Sequence, residues 1–200
     1  MNRIKELATI VGWPGLVSLA SLAAAWTAIG FLWSDNSKLT IVFSVIAFLL
    51  DILDGALARG IGHEGPFGRQ LDSMVDAINY SLIAGLVTAH VLIPGILGGI
   101  VGFVILAFGI LRLSLFTLNG FENDGDRLYY RGVITPHLTL TVALLYIATR
   151  FVEVPEYVLA IILLVIASLQ LSTIRTRKTG VLIFWIPASI AIGVGAFVWS

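Results

Sequence analysis

The apolar stretch LTIVFSVIAFLLDILDGALA occupies residues 39–58 and decides the fold class. It is as long as a membrane-spanning helix, which needs about 20 mostly apolar residues. Its apolar residues do not alternate with polar ones, so it lacks the pattern of a transmembrane β-strand. Its last third nevertheless carries two carboxylates, Asp51 and Asp54. Ionised groups at membrane depth are costly and mark functional sites, so these acids are the first candidates for chemistry.

The whole chain shares this character, because 58% of its 200 residues are hydrophobic and only 12% are charged. This composition is typical of a polytopic membrane protein and excludes an ordinary soluble domain. We predict an all-α membrane protein with a single domain over residues 1–200. Six spans form its core and a seventh follows at the C-terminal end. The predicted spans are Gly15–Trp33, Leu39–Ala58, Leu71–Ile93, Gly95–Leu118, Val133–Phe151, Val158–Ile174 and Val181–Trp199.

Residues 1–13 alternate charged and apolar side chains, which predicts a short amphipathic helix lying in the membrane interface. A cleaved signal peptide is the alternative, since Arg3 and Lys5 precede an apolar run. That run has the length of a span, about 20 residues, so we expect it to be retained. The chain has no cysteine, which excludes disulfides and thiolate chemistry. Its net charge of zero gives no basic surface for nucleic acid.

The placement of lysine and arginine predicts the orientation, because cytoplasmic loops carry an excess of both. With seven spans and a cytoplasmic N-terminus, the far side carries only Lys38 and Arg150. We therefore predict an integral protein of the inner or plasma membrane, with the acidic cluster facing the cytoplasm. The basic residues assigned to the cytoplasmic side are Arg3, Lys5, Arg59, Arg69, Arg112, Arg127, Arg131, Arg175, Arg177 and Lys178.

Four aspartates flank the turn between the second and third spans. Asp51 and Asp54 are three residues apart, and Asp72 and Asp76 are four apart, so each pair lies on one helix face. Residues 60–66 are rich in glycine and end in proline, which predicts a turn that brings the two faces together.

Four clustered carboxylates repel one another unless a cation or a proton neutralises them. Oxygen ligands without cysteine suit Mg²⁺, Mn²⁺ or Ca²⁺, and four acids could hold two ions, an arrangement suited to phosphoryl chemistry. Structural ion pairs with Arg59, Arg69 and Arg112 are the alternative. Three arginines do not balance four aspartates plus Glu64, so we favour the metal site.

The spacing of these residues resembles the signature of the CDP-alcohol phosphatidyltransferase family at every position. The matching pattern is Asp51-x-x-Asp54-Gly55-x-x-Ala58-Arg59, eight residues, then Gly68-x-x-x-Asp72-x-x-x-Asp76. The resemblance implies transfer of a phosphatidyl group from a CDP-linked lipid to an alcohol, with release of CMP. It implies two divalent cations, Mg²⁺ or Mn²⁺, on Asp51, Asp54, Asp72 and Asp76, with Asp76 also the general base. It implies a nucleotide site at Gly55, Ala58 and Gly68, with Arg59 on phosphate.

Two further segments resemble the phosphatidylserine synthase subgroup and suggest L-serine as the acceptor. They are RLSLFT at residues 112–117 and YRGVITP at residues 130–136. We predict that Arg112, Arg131 and His137 face the acceptor or phosphate pocket, although Arg112 could instead snorkel to the membrane surface. Inositol phosphate and glycerol phosphate stay open as acceptors, and a cation transporter is the alternative from another class.

Two other local patterns, one of glycines and one of acids, predict structural features. The glycines at 95, 99, 98 and 102 form two small-xxx-small pairs, which permit close helix packing within the fold or across a homodimer. The acids of residues 122–126 resemble a calcium loop only superficially, because the glutamate at its twelfth position is missing. We predict a solvated turn there.

Overall fold

The computed structural model describes residues 2–61, 65–124, 127–177 and 181–198. Within these ranges the chain forms eight α-helices, two π-helical segments and three short strands. The helices are α1 Asn2–Trp33, α2 Ser37–Ile61, α3 Pro66–Asp76, α4 Ile83–Val87, α5 Ile96–Asn119, α6 Thr135–Ala148, α7 Glu156–Leu169 and α8 Val181–Val198. The π-helical segments are Ala77–Leu82 and Thr88–Leu92, and the strands are β1 Glu122–Asp124, β2 Arg127–Arg131 and β3 Arg175–Arg177.

Among the described residues, four helices are long and apolar enough to cross a membrane, and their bounds agree with the first four predicted spans to within four residues. The third of them is a composite of α3, α4 and the two π-helical segments. The candidate spans are Val11–Trp33, Ser37–Ala58, Phe67–Leu92 and Ile96–Asn119.

The last three predicted spans are shorter helices in the structure. Their apolar parts are Thr135–Ala148, Glu156–Leu169 and Ile186–Val198. A helix of 14 residues is about 21 Å long, against a hydrocarbon core of about 30 Å. The sixth prediction also ran too far, since α7 ends at Leu169 and the chain then turns into β3. A core of six spans, and a seventh after it, therefore stay predictions.

A break at Gly12 separates the start of α1 from its long apolar part, and the interfacial amphipathic helix expected at residues 1–13 stays a prediction. Gly12 has φ 57° and ψ −174°, which breaks α1 in two, and Pro14 lies in the first turn of the second part. Glycine adopts positive φ without steric cost, and proline suits the start of a helix. The break falls within the predicted interfacial segment, whose position in the membrane interface stays a prediction. The side chains of residues 2–10 lie outside the described ones.

Small buried residues let α1 and α2 pack along each other. Ala25, Ala28 and Ala47 are fully buried. The Ser21 hydroxyl donates to the Ala47 carbonyl oxygen at 2.7 Å, which joins the two helices. The Asn79 side-chain amide then donates to Ser21 at 2.7 Å, so a polar contact ties the third span to this pair.

The glycines of α5 serve packing within the fold. A Cβ built on Gly102 would lie 2.5 Å from the carbonyl oxygen of Gly85, and one on Gly85 would lie 2.6 Å from that of Gly102. Gly98 likewise faces the backbone of Ile93. A Cβ on Gly99 would meet nothing within 4 Å. Gly102 therefore brings α5 against α4, and Gly98 brings it against the end of the second π-helical segment, whereas a homodimer contact stays a prediction.

A three-stranded antiparallel sheet corrects the expectation of a purely helical chain. It has the order β1-β2-β3 and joins the loop after α5 to the segment after α7. Glu122 belongs to β1 and forms ion pairs with Arg131 at 2.7 Å and Arg175 at 2.9 Å. The solvated turn predicted at residues 122–126 was wrong for residues 122–124. The remaining two residues lie outside the described ranges.

Candidate active site

The two acidic helix faces meet between the second half of α2 and the second half of α3. Asp51 lies on α2, and Asp72 and Asp76 lie on α3. One carboxylate oxygen of each lies within 4.8 Å of the other two. Residues 66–76 re-enter as a helix beside α2, with Pro66 in the first turn. The structure therefore brings three of the four predicted metal ligands together.

The chemistry of this cluster fits a hard divalent cation. The Oδ1 atoms of Asp51 and Asp76 are buried, and neither has a hydrogen-bond partner among the described residues. Buried carboxylate oxygens normally have hydrogen-bond partners, so each such exception requires an explanation. Mg²⁺ and Mn²⁺ take carboxylate oxygens, and oxygens that lie this close together can share one ion. The acidic group could therefore bind a metal.

Asp54 lies beside this group and has little surface in contact with solvent. Its relative exposure is 3%, and its carboxyl group lies next to the Ser18 hydroxyl of α1. Asp51 and Asp72 are its charged neighbours, and its Oδ2 atom is buried without a hydrogen-bond partner in the described part of the chain. Asp54 thus adjoins the cluster from the α1 side, outside the set of oxygens within 4.8 Å.

Tyr80 closes the cluster on its inner side. Its hydroxyl donates to Asp51 Oδ2 at 2.6 Å, and its ring packs edge-to-face on Phe48 with centroids 5.9 Å apart. The Tyr80 carbonyl oxygen accepts a hydrogen bond from Thr139 Oγ1 at 2.8 Å. Tyr80 is four residues after Asp76 and therefore on the same helix face, which is the signal that could have identified it from the sequence.

Arg112 lies inside the protein, so the snorkelling alternative was wrong. It is only 6% exposed, and its Nη1 donates to Thr135 Oγ1 at 3.2 Å. Its guanidinium carbon lies 5.3 Å from the centroid of the Phe116 ring and 5.7 Å from that of Tyr130. Its charge acts on Asp76, and its Nε has no hydrogen-bond partner within the described ranges. This is a buried cation held by aromatic rings beside the predicted base.

The other two acceptor-pocket candidates have different surroundings. Arg131 is on β2 with 65% of its side chain exposed, and it is paired with Glu122. His137 is half-buried in the first turn of α6, where its backbone N–H donates to the Ile134 carbonyl oxygen at 3.0 Å. Arg112 is a charged neighbour of His137. His137 is therefore near the buried arginine, whereas Arg131 is exposed and shares the carboxylate of Glu122 with Arg175.

The predicted nucleotide residues lie on both sides of the turn. Gly55 and Ala58 are half-buried on α2, and Gly68 is exposed on α3. A Cβ on Gly68 would meet no described heavy atom within 4 Å, so packing does not explain this glycine. The side chain of Arg59 lies outside the described ones.

Sequence reasoning missed two contacts around the site. Ser73 and Thr117 share a hydrogen bond of 3.1 Å, which joins α3 to α5 next to Asp72. Phe121 adds a third ring to the aromatic group of Phe116 and Tyr130. No spacing in the sequence indicates either contact, because the partners come from segments far apart in the chain.

Comparison with known proteins agrees with this geometry. The chain is 30% identical over 118 residues to a CDP-diacylglycerol–serine O-phosphatidyltransferase of Mycobacterium leprae, covering 58% of this chain and 39% of that protein. A protein of the same name from Mycobacterium tuberculosis is 29% identical over 118 residues, covering 58% and 41%. The chain thus spans about two fifths of the length of these relatives. An archaetidylserine synthase of Methanothermobacter thermautotrophicus is 24% identical over 178 residues, covering 88% and 73%.

The family model described as CDP-alcohol phosphatidyltransferase matches residues 12–198. This match covers nearly the whole chain, including both acidic helix faces and the buried arginine. With the four long apolar helices, it indicates an integral membrane protein. The chain therefore belongs to the CDP-alcohol phosphatidyltransferase family.

Proposed function

We propose that this protein transfers a phosphatidyl group from a CDP-linked lipid to the hydroxyl of L-serine and releases CMP. The observation that carries the proposal is the meeting of Asp51, Asp72 and Asp76 within 4.8 Å, with buried oxygens of two of them lacking a hydrogen-bond partner among the described residues. Phosphoryl transfer needs such a site, because charge on the diphosphate and on the leaving oxygen must be neutralised.

In this proposal Asp51, Asp54, Asp72 and Asp76 hold two divalent cations, Mg²⁺ or Mn²⁺. When bound, the cations neutralise the diphosphate and stabilise the leaving phosphate oxygen. Gly55, Ala58 and Gly68 leave room for the cytidine, and Arg59 binds phosphate.

Asp76 then takes the proton of the acceptor hydroxyl. The acceptor oxygen forms a bond to the lipid phosphorus while the bond from that phosphorus to CMP breaks. A positioned base contributes roughly 10²–10⁴-fold to such a step.

The acceptor pocket lies on the Arg112 side of Asp76. Arg112 is a buried cation with an Nε free of hydrogen bonds to the described residues, and it suits a carboxylate such as that of serine. His137 adjoins it, and Arg131 stands further out on the sheet. Inositol phosphate or glycerol phosphate would want more basic residues at this pocket. Arg131 and Arg175 share the single carboxylate of Glu122, so these two acceptors stay in the test below.

The names of the relatives support the same acceptor. The two mycobacterial proteins and the archaeal one all carry serine in their names or in the product that they name. We extend this to the cellular setting and propose a cytoplasm-facing site in the inner or plasma membrane.

The test is CMP release by the detergent-solubilised protein. CDP-diacylglycerol and its ether-linked archaeal counterpart serve as donors, and serine, inositol phosphate and glycerol phosphate serve as acceptors. We expect CMP with serine in Mg²⁺ or Mn²⁺ and none in excess EDTA. Asp76→Asn lowers the rate by roughly 10²–10⁴-fold, while Glu153→Gln, an exposed loop carboxylate, leaves it unchanged. CMP release with only a phosphorylated acceptor would show that this acceptor is used in place of serine. No CMP release with any acceptor would refute the proposal.

A further inference from the structure

Tyr80 is the buried group around the acidic cluster to which the family signature assigns no role. Its side chain is only 2% exposed, and its hydroxyl donates a hydrogen bond of 2.6 Å to Asp51 Oδ2. A phenol at this distance from a carboxylate is a strong, oriented donor. Because Tyr80 occupies Oδ2, the hydrogen-bond-free oxygen of Asp51 in the described structure is Oδ1.

The backbone that presents Tyr80 is itself unusual. The helix widens into a π-helical segment directly after Asp76, where the Ile83 N–H donates to the Ile78 carbonyl oxygen five residues earlier. Such segments are rare and occur frequently at functional sites. In this one, Thr139 Oγ1 of α6 donates to the Tyr80 carbonyl oxygen at 2.8 Å. The widened turn is therefore fastened to a neighbouring helix at the residue that contacts Asp51.

Two contacts hold the Tyr80 side chain in place, one on its ring and one on its hydroxyl. The ring packs on Phe48, which is one turn before Asp51 on α2, and the hydroxyl is held by Asp51 itself. These contacts leave the hydroxyl little freedom to leave Oδ2. A carboxylate held through one oxygen presents the other in a set direction, which is the usual effect of a hydrogen-bonded partner on a metal-binding group.

From this geometry we infer that Tyr80 is a positioning residue that orients Asp51, so that Oδ1 alone is presented to a divalent cation. The inference rests on the proposed function, since it assumes that Asp51 binds metal. It assigns to Tyr80 no contact with either substrate. Its consequence is that the tyrosine hydroxyl raises metal affinity, and hydrogen-bonding partners of metal-binding groups typically contribute 10–100-fold to that affinity.

The experiment measures Mn²⁺ binding to the full-length protein in detergent, by the electron paramagnetic resonance signal of free Mn²⁺. Tyr80→Phe keeps the ring and its packing but removes the hydroxyl, and we expect the Mn²⁺ Kd to rise about 10–100-fold. Tyr146→Phe is the matched control, because Tyr146 is equally buried and its hydroxyl accepts a hydrogen bond from Arg150. We expect that variant to bind Mn²⁺ like the wild type.

Asp51→Asn separates this inference from the proposed function. If Asp51→Asn weakens Mn²⁺ binding while Tyr80→Phe stays within twofold of the wild type, the role of Tyr80 is overturned and the metal site stands. If Asp51→Asn binds Mn²⁺ like the wild type, the metal site itself is wrong, and the inference fails with it. Equal weakening by Tyr80→Phe and Tyr146→Phe would also overturn the inference, because any buried hydroxyl would then have the same effect.

Thermal unfolding without metal checks that Tyr80→Phe is folded. Should it not be, Thr139→Val replaces it, since this change removes only the hydroxyl that holds the Tyr80 carbonyl oxygen. We expect a smaller rise in the Mn²⁺ Kd, and an unchanged Kd in a folded Thr139→Val variant would overturn the inference.

Discussion

Two charged clusters of the molecule handle charge in different ways. In the first, Asp51, Asp72 and Asp76 converge, and a buried oxygen on each of Asp51 and Asp76 has no hydrogen-bond partner among the described residues. In the second, Glu122 on the sheet pairs with two exposed arginines. The comparison teaches that clustered charge alone does not mark a functional site. A functional site is distinguished by buried charge that the protein's own residues do not neutralise, because a bound ion must then supply the opposite charge.

The strongest test of the difference between the two clusters is to neutralise one acid in each of them. Asp72→Asn removes a predicted metal ligand, and metal stabilisation is worth several kcal/mol, so we expect the rate of CMP release to fall at least about a hundredfold. Asp72 is exposed, so the change costs little packing. Glu122→Gln removes an equal charge from the sheet, and we expect a rate within about twofold of the wild type. Equal losses in the two variants would contradict the distinction.

A second test uses Arg112, the buried arginine near Asp76. Arg112→Lys keeps the charge but loses the planar guanidinium that stacks on Phe116 and Tyr130, and the two cations are not interchangeable at such a site. We expect kcat/KM for serine to fall about 10–100-fold, since a hydrogen bond to a charged group is worth about 1.5–3 kcal/mol and each 1.4 kcal/mol is about tenfold.

The matched control for that test is Arg150→Lys. Arg150 also lies over a tyrosine ring, 4.8 Å from the Tyr146 centroid. It follows the C-terminal end of α6, whereas Arg112 contacts Thr135 at the N-terminal end of that helix. We expect its kcat/KM for serine to be unchanged. A similar loss in both variants would indicate a general packing effect.

The smallest expected effect is on stability. Glu122→Gln breaks the ion pairs of Arg131 and Arg175, both largely exposed, and exposed pairs contribute about 0–1 kcal/mol each. We expect the thermal midpoint in detergent to fall by no more than a few degrees. We also expect the difference from the wild type to shrink in high salt, because salt screens exposed charges. A larger fall that salt does not change would mean that the sheet is a main support of the fold.

Sequence reasoning succeeded where the pattern is local. The apolar helix α2 follows from one uninterrupted stretch, and the structure has a helix of span length there that brings Asp51 to the acidic cluster. It failed at the sheet, because β1, β2 and β3 come from loops separated by two helices, and strands of three to five residues have no periodicity to detect. It also overestimated the later spans, since α6 and α7 end before their apolar stretches do.

The sequence by itself determined the membrane class, the helical character of the first four spans and the spacing of the four aspartates, because hydropathy and helix periodicity act over neighbouring residues. Only the tertiary structure decided that Arg112 is buried against Thr135, that Glu122 pairs with Arg131, and that Tyr80 donates a hydrogen bond to Asp51. Each of these contacts joins segments at least nine residues apart in the chain. Such contacts depend on how the helices pack and on where the π-helical turn widens, which no local pattern of residues specifies.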